Sequence, residues 1–365
     1  MQALLAHTLE NRLTGSEMTM KTLNTVLLGF GAVGRGFLAL LQARHAYLQE
    51  RYKLRLNLIG VATARRGSVF CSEGLNLAAL SAVADRHLSE YPEQPRLIRG
   101  LEPLTMLSRP AVDVVIELTP TTYENNAEPA MSHIRTALAA GKHVITANKG
   151  PIALAYPDLV AQAEHRGVFL GYEGTVMGGT PALRMARKTL AGCHISEVRG
   201  ILNGTTNFIL TEMERGTSYA EALRTAQARG YAEADPTNDV EGFDAAGKLI
   251  ILAHVVFGKA LRMTEIDRRG ITGLTPEAVQ AAQAQGERWK LIAQATLQPD
   301  GRVSASVRPT RVPLSDPLAS VSGGMNAITY QTDLIGNVTL IGAGAGGEAT
   351  AYALLSDLIE LAEWL

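Results

Sequence analysis

The densest group of chemistry-bearing residues lies between Gly230 and His254. There Glu233, Asp235, Asp239, Glu241 and Asp244 crowd together, and Lys248 follows. Carboxylates this close repel one another unless cations or an ammonium ligand offset the charge. From about Asp239 onward the residues look helical, which sets Asp244 and Lys248 one turn apart on one face. Leu249, Ile250 and Leu252 follow, so the pair lies at the edge of a core. A partly desolvated lysine held by an aspartate suits general acid-base work, because burial lowers its pKa while the carboxylate orients it and pulls the pKa back up. Spacing alone leaves a plain i, i+4 salt bridge equally open, and it leaves the acids open to being an exposed loop with Asp239 as a helix cap.

Three further segments carry chemical potential. Gly29-Phe30-Gly31-Ala32-Val33-Gly34 follows an apolar strand and opens a helix, the arrangement in which backbone N–H groups approach a dinucleotide pyrophosphate. The second strand of such a unit often ends in an acid for the ribose hydroxyls. Here it ends Thr63-Ala64-Arg65-Arg66, which favours a 2′-phosphate and hence NADP, with NAD also open, over a solvated loop. Thr119-Pro120 and Ala147-Asn148-Lys149 each follow a buried strand, where open α/β sheets bind ligands, and Gly150-Pro151 reads as a turn holding Lys149 toward the crevice. Glu173 precedes the irregular Gly174-Thr175-Val176-Met177-Gly178-Gly179-Thr180, whose carbonyls could hold a hard cation or simply make a tight turn before a helix.

These segments need a scaffold, and the chain of 365 residues supplies two domains' worth. Strands at 25–28, 54–62, 112–118 and 144–147 alternate with helices at 36–51 and 127–140, giving a doubly wound parallel sheet of the Rossmann type over 21–152. Residues 153–340 read as an α+β domain, with helices at 157–166, 181–190, 206–215, 218–230, 241–257 and 276–298 and strands beyond 303. The glycine cluster and helix of 341–365 return to the first domain, and 1–20 form a tail in which Met18 or Met20 offers an alternative start.

Composition narrows the class. Hydrophobic residues at 46%, charged residues at 19% and a net charge of -1 describe a globular chain without the basic excess of a nucleic-acid binder. Cys71 and Cys193 form no disulfide framework or zinc spacing, and no stretch is long enough to cross a bilayer, so a cytoplasmic protein is expected. No repeat is visible.

Taken in order, GFGAVGRG, TANKGPIAL, YEGTVMGGTP, GILNGTTNFIL and GYAEADPTNDVEGFDAAGKL resemble homoserine dehydrogenase from about residue 23 to the last helix. The resemblance implies reversible hydride transfer with NADP or NAD between L-homoserine and L-aspartate 4-semialdehyde, toward threonine, methionine and isoleucine. It casts Lys248 as proton donor and acceptor, with Lys149 as the second lysine near cofactor and reacting oxygen. Glu233 and Asp244 would take the substrate ammonium, Asp239 would support them, and Tyr231, Gly204 and Thr205 would line the pocket. Cofactor contacts would come from Gly29, Phe30, Gly31, Ala32, Val33, Gly34, Arg65, Thr119, Lys149, Gly230, Gly344 and Gly346. Glu173 and the carbonyls of Val176, Gly178 and Thr180 match a sodium site. A homodimer or homotetramer paired through the central sheet is implied. The resemblance covers no added amino-acid-sensing domain or fused kinase, so threonine feedback through such a domain is not expected. Two rivals, a reductase of another semialdehyde and a dinucleotide sensor, lack a reason for two lysines beside clustered acids.

Overall fold

A computed structural model describes residues 19–365; the tail expected at 1–20 lies, but for its last two residues, outside the described residues. The first sheet has seven strands. In chain order they run β1 (Lys21–Leu28), α1 (Ala32–Tyr52), β2 (Leu54–Thr63), β3 (Gly67–Phe70), β4 (Ile98–Arg99), β5 (Val114–Glu117), α2 (Ala130–Ala139), β6 (His143–Thr146), α3 (Lys149–Arg166) and β7 (Leu170–Gly171). Their spatial order is β4-β3-β2-β1-β5-β6-β7. Strands β2, β1, β5, β6 and β7 are parallel, whereas β3 and β4 pair antiparallel at one edge. Only Ala64-Arg65-Arg66 joins β2 to β3, too short a link for a parallel crossover. The sheet also continues past the boundary expected at 152: α3 begins at Lys149 and leads into β7.

The second sheet is mixed. Its elements are β8 (Ile195–Ile201), α4 (Gly204–Glu214), α5 (Tyr219–Ala228), α6 (Phe243–Phe257), β9 (Asp267–Arg268), α7 (Pro276–Ala284), β10 (Glu287–Leu297), β11 (Val303–Pro313), β12 (Met325–Thr332) and β13 (Gly336–Ala343). The order is β13-β12-β8-β10-β11-β9. The helix expected at 276–298 is therefore two elements. Gly286, at φ +72°, ends α7, and the following run pairs on both sides with β8 and β11, an apolar strand buried in mid-sheet where alternation is lost.

The last helix, α8 (Gly347–Trp364), packs on the first sheet. Its Leu354, Leu358 and Leu361 pack with Leu27 of β1 and Phe37 and Leu41 of α1. Gly36 and Gly347 let the two helices touch: a Cβ on Gly36 would come 2.9 Å from the Gly347 carbonyl oxygen. On the other face of the sheet, α2 and α3 share one continuous core with α6, so both domains are joined by apolar packing. The helix α6 is buried on nearly every side from Ala245 to His254. The cleft runs along this seam, beyond the carboxyl ends of β1, β5 and β6.

Candidate active site

The residues that begin α6 and α3 meet in the seam. Gly242, at φ +80°, turns the chain into α6, so that Asp244 lies in its first turn and Lys248 one turn on. The Lys248 ammonium donates to Asp244 Oδ2 at 2.8 Å and to the Leu202 carbonyl at 2.6 Å. From the other domain, Lys149 opens α3 directly after β6. The expected turn at Gly150-Pro151 is instead the first turn of that helix, where a proline costs no hydrogen bond. Asn148 caps α3 through the Gly150 N–H, and its amide also donates to the Thr119 carbonyl, which fixes the end of β6 to the end of β5. Lys149 Nζ then stands 3.5 Å from Asp244 Oδ1. Two lysines from two domains thus share one carboxylate.

Burial sets the electrostatics. The Lys248 side chain is 8% exposed, that of Asp244 18% and that of Lys149 24%. Burial alone would raise the Asp244 carboxyl, but Lys248 and then Lys149 outweigh it and hold it below the usual carboxylate range. Asp239 goes the other way: burial raises it, against hydrogen bonding from Asn203, and the Asp244 charge adds to the rise. Asn203 joins the two acids, donating to Asp239 Oδ1 at 2.6 Å and Asp244 Oδ2 at 3.0 Å, while its carbonyl oxygen caps α4 at the Thr206 N–H. Sequence reading named Gly204 and Thr205 beside it and missed Asn203, although an asparagine just before a helical run is itself a capping signal.

A cavity of 580 Å³ opens over this group, walled by Lys149, Asp244, Lys248, Asp239 and Asn203. It also takes in Gly204, Thr205, Gly230 and Tyr231 on one side and Val33, Thr119, Gly178, Gly344 and Gly346 on the other. Thr205 donates to the Tyr231 carbonyl at 2.7 Å, and the Tyr231 ring stacks on Phe208. Glu233 is not brought in. It is exposed two residues past Tyr231, where the Gln227 amide holds its backbone carbonyl.

The glycine loop flanks the cavity. Gly29 is at φ +93°, and a Cβ there would lie 2.4 Å from the Leu118 oxygen. A Cβ on Gly34 would meet the Gly29 oxygen at 2.9 Å. Gly31 is different, since a Cβ there would meet nothing within 4 Å. The first turn of α1, from Ala32, has no side-chain cap, so its N–H groups face this open side and fit a pyrophosphate. Phe30 is a core residue whose side chain is buried away from the cavity; its carbonyl accepts from Arg66, which also reaches the Ala84 carbonyl. Arg65 is exposed and makes no ion pair or hydrogen bond among the described residues.

Glu173 is buried, and its two oxygens accept the Leu183 and Arg184 N–H groups at 3.0 and 2.8 Å. Burial, only partly countered by Arg184, pushes it up to about 6. The Val176 and Gly178 carbonyls accept no hydrogen bond among the described residues, whereas that of Thr180 accepts the Ala182 N–H. No group of three or more His, Cys, Asp or Glu among the described residues is arranged to hold a metal ion, so any metal there depends on carbonyls. Nor is any described helix long and apolar enough to cross a membrane.

Two family profiles match in tandem: "Homoserine dehydrogenase, NAD binding domain" over residues 29–173 and "Homoserine dehydrogenase" over 181–359. The chain is similar to an NAD(+)-dependent homoserine dehydrogenase of Pseudomonas canavaninivorans, at 41% identity over 92% of this chain and 95% of that one. Among solved structures it resembles a putative homoserine dehydrogenase from Archaeoglobus fulgidus, with TM-score 0.82 and 36% identity over 93% and 98% of the two chains. A hyperthermophilic archaeal homoserine dehydrogenase in complex with NADPH aligns with TM-score 0.78 and 27% identity, over 93% of this chain and 97% of that one.

Proposed function

The chain belongs to the homoserine dehydrogenase family of NAD(P)-dependent oxidoreductases, and from that premise we propose that the seam cavity interconverts L-homoserine and L-aspartate 4-semialdehyde with Lys248 as the acid-base group. The observation that carries this reading is the convergence of Lys149 and Lys248 on Asp244 beside an open glycine loop.

The dinucleotide supplies the hydride acceptor for the alcohol and the donor for the aldehyde. The chain's part is to handle the proton and hold the substrate. An ammonium has three N–H donors. Lys248 commits two, to Asp244 and to the Leu202 carbonyl, and keeps one for the substrate's terminal oxygen. In reduction that N–H delivers the proton, so a free alkoxide never forms; in oxidation the neutral amine takes the hydroxyl proton back. Asp244 keeps the amine aimed through both directions. Lys149 is more exposed and held only by the longer contact, which leaves it free to turn to the same oxygen and steady its developing charge. Asp244 and Glu233 would take the substrate ammonium with Asp239 in support, although Glu233 is exposed and outside the cavity lining in this structure. Gly204 and Thr205, at the N-terminus of α4, would offer their N–H groups to the substrate carboxylate.

For the cofactor we favour NADP, with NAD as the alternative, because Arg65 is an uncommitted guanidinium where an acid would otherwise select NAD. A sodium ion would be held by Glu173, raised by burial, with the Val176 and Gly178 carbonyls, which accept no hydrogen bond among the described residues, and the Thr180 carbonyl, which also accepts the Ala182 N–H. A homodimer or homotetramer would pair its chains through the second sheet at β13, an edge strand with Ile341 exposed.

Nicotinamide absorbance tests the reading: L-homoserine should reduce NADP, and NAD more slowly, and Lys248→Ala should remove turnover while leaving cofactor affinity nearly intact. Silence with both cofactors, and with aspartate semialdehyde in reverse, refutes it. Near-normal turnover of the variant removes Lys248 from its role.

A further inference from the structure

The segment 118–128, between β5 and α2, touches the backbone beside both lysines. Its Thr122 carbonyl lies on Gly150, next to Lys149, where a Cβ would come within 2.2 Å of that oxygen. Its Tyr123 crosses the seam to Gly247, next to Lys248, where a Cβ would sit 1.9 Å from the phenol oxygen. Glycine is required at both contacts for the segment to approach. The segment keeps an unfavourable backbone to do so: Asn125, Asn126 and Ala127 are consecutive left-handed residues at φ 46°, 56° and 58°.

The Tyr123 hydroxyl is buried and has no hydrogen-bond partner among the described residues. Phenylalanine would fill this space without stranding a polar atom, so the hydroxyl calls for a partner in another state of the site. The hydroxyl rests on Gly247, one turn from Asp244 on α6, and burial first and then the Asp244 charge raise the phenol's pKa, so that it stays protonated and able to donate. Asp244 has an oxygen to spare. Its Oδ2 is held by Lys248 at 2.8 Å and Asn203 at 3.0 Å, whereas among the described residues Oδ1 has only Lys149, at 3.5 Å.

We propose that Tyr123 is a positioning residue whose hydroxyl donates to Asp244 when Lys149 turns from that carboxylate to the reacting oxygen. It keeps Asp244 fixed, and with it Lys248, while the second lysine works on the substrate. The proposal rests on the roles given above to Lys149 and Lys248.

Tyr123→Phe in the full chain is the test, read by kinetics and thermal melts. With L-homoserine and NADP, kcat should fall about tenfold or more, the loss of a hydrogen bond to a charged group, with KM for NADP unchanged. The unliganded melting temperature should stay level or rise, since a stranded hydroxyl is removed. The further rise on adding the non-reacting pair NADPH and L-homoserine should be smaller than in the wild type. Wild-type kcat together with a wild-type ligand-induced rise overturns the proposal, as does a lowered unliganded melting temperature with kcat unchanged in the folded protein. Lys149→Ala separates the two levels. An active Lys149→Ala enzyme removes the lysine assignment itself, whereas an inactive one beside a fully active Tyr123→Phe removes only the role of Tyr123.

Discussion

Replacing Asp244 with asparagine removes one charge and keeps the shape, and the structure says the change is not gentle. One carboxylate oxygen faces Lys248 and Asn203, the other faces Lys149. However the new amide is turned, its NH₂ meets an ammonium, so one donor-donor contact is unavoidable. With its oxygen toward Lys248 the amide sets its NH₂ against Lys149; turned the other way, the Lys248 ammonium, 8% exposed, keeps only the Leu202 carbonyl as a sound partner, and in both orientations the two lysines lose the charge they share. Breaking a buried pair on one side costs about 3–5 kcal/mol, and the partial exposure of Asp244 argues for the lower end, about 3 kcal/mol. For a chain of this length that is a melting temperature lower by roughly 4 °C. Turnover should fall by about 10²–10⁴, the range for a misplaced general acid-base group. The pH dependence has a definite sign. The folded-state pKa of Asp244 is depressed, so its contribution is complete above the unfolded value of about 4 and fades as pH falls toward the folded value. The stability gap between wild type and Asp244→Asn should therefore be flat above about pH 5 and narrow below about pH 4. Scanning fluorimetry across pH, with steady-state kinetics at neutral pH, measures both. A variant melting within about 1 °C of wild type at pH 7 would show that the carboxylate is not what holds the two lysines.

Gly31→Ala should leave the unliganded melting temperature unchanged, since the new methyl meets no protein atom, yet raise KM for the dinucleotide about tenfold by standing where the pyrophosphate approaches. An unaltered KM would place the cofactor elsewhere. Arg65→Ala should raise KM for NADPH more than KM for NADH; equal effects in parallel titrations would end the case for a 2′-phosphate contact there. Glu173 is raised to about 6 and Asp357, through burial and the Glu173 charge, to about 8. For carboxyls with raised values, stability is full below the unfolded pKa and is lost as pH rises through the folded one. In choline chloride the melting temperature should therefore drop between pH 5 and 9, and sodium chloride at equal ionic strength should reduce the drop. Identical slopes in the two salts would remove the cation from Glu173.

What could be read from the sequence was local. Asp244 and Lys248 are linked by helical spacing alone, and the strand-glycine-helix start of the chain carries its own periodicity, so both were legible. The meeting of Lys149 with Asp244 was not, because it depends on how α3 of one domain packs against α6 of the other. Glu233 shows the limit from the opposite side. It sits in the same acidic run as Asp244, but the turns after Gly230 leave it exposed, and no spacing rule distinguishes it from its neighbours. The strand β10 was hidden for a related reason: ERWKLIAQATL has helix formers and no alternation, and only pairing on both edges makes it a strand.

The division of the charged group between two domains has a consequence for folding as well as for chemistry. Lys248 and Asp244 pair within α6 as soon as that helix forms, whereas Lys149 joins them only once α3 packs on α6. The second lysine lowers the Asp244 carboxyl further, so docking of the domains is the state in which that carboxylate is most firmly ionised. In the proposed mechanism Lys149 would therefore meet two competing demands, holding the seam through Asp244 and turning to the substrate. Its 3.5 Å contact, longer than the 2.8 Å contact of Lys248, would suit that proposed compromise: close enough to favour docking, long enough to be given up for a better acceptor.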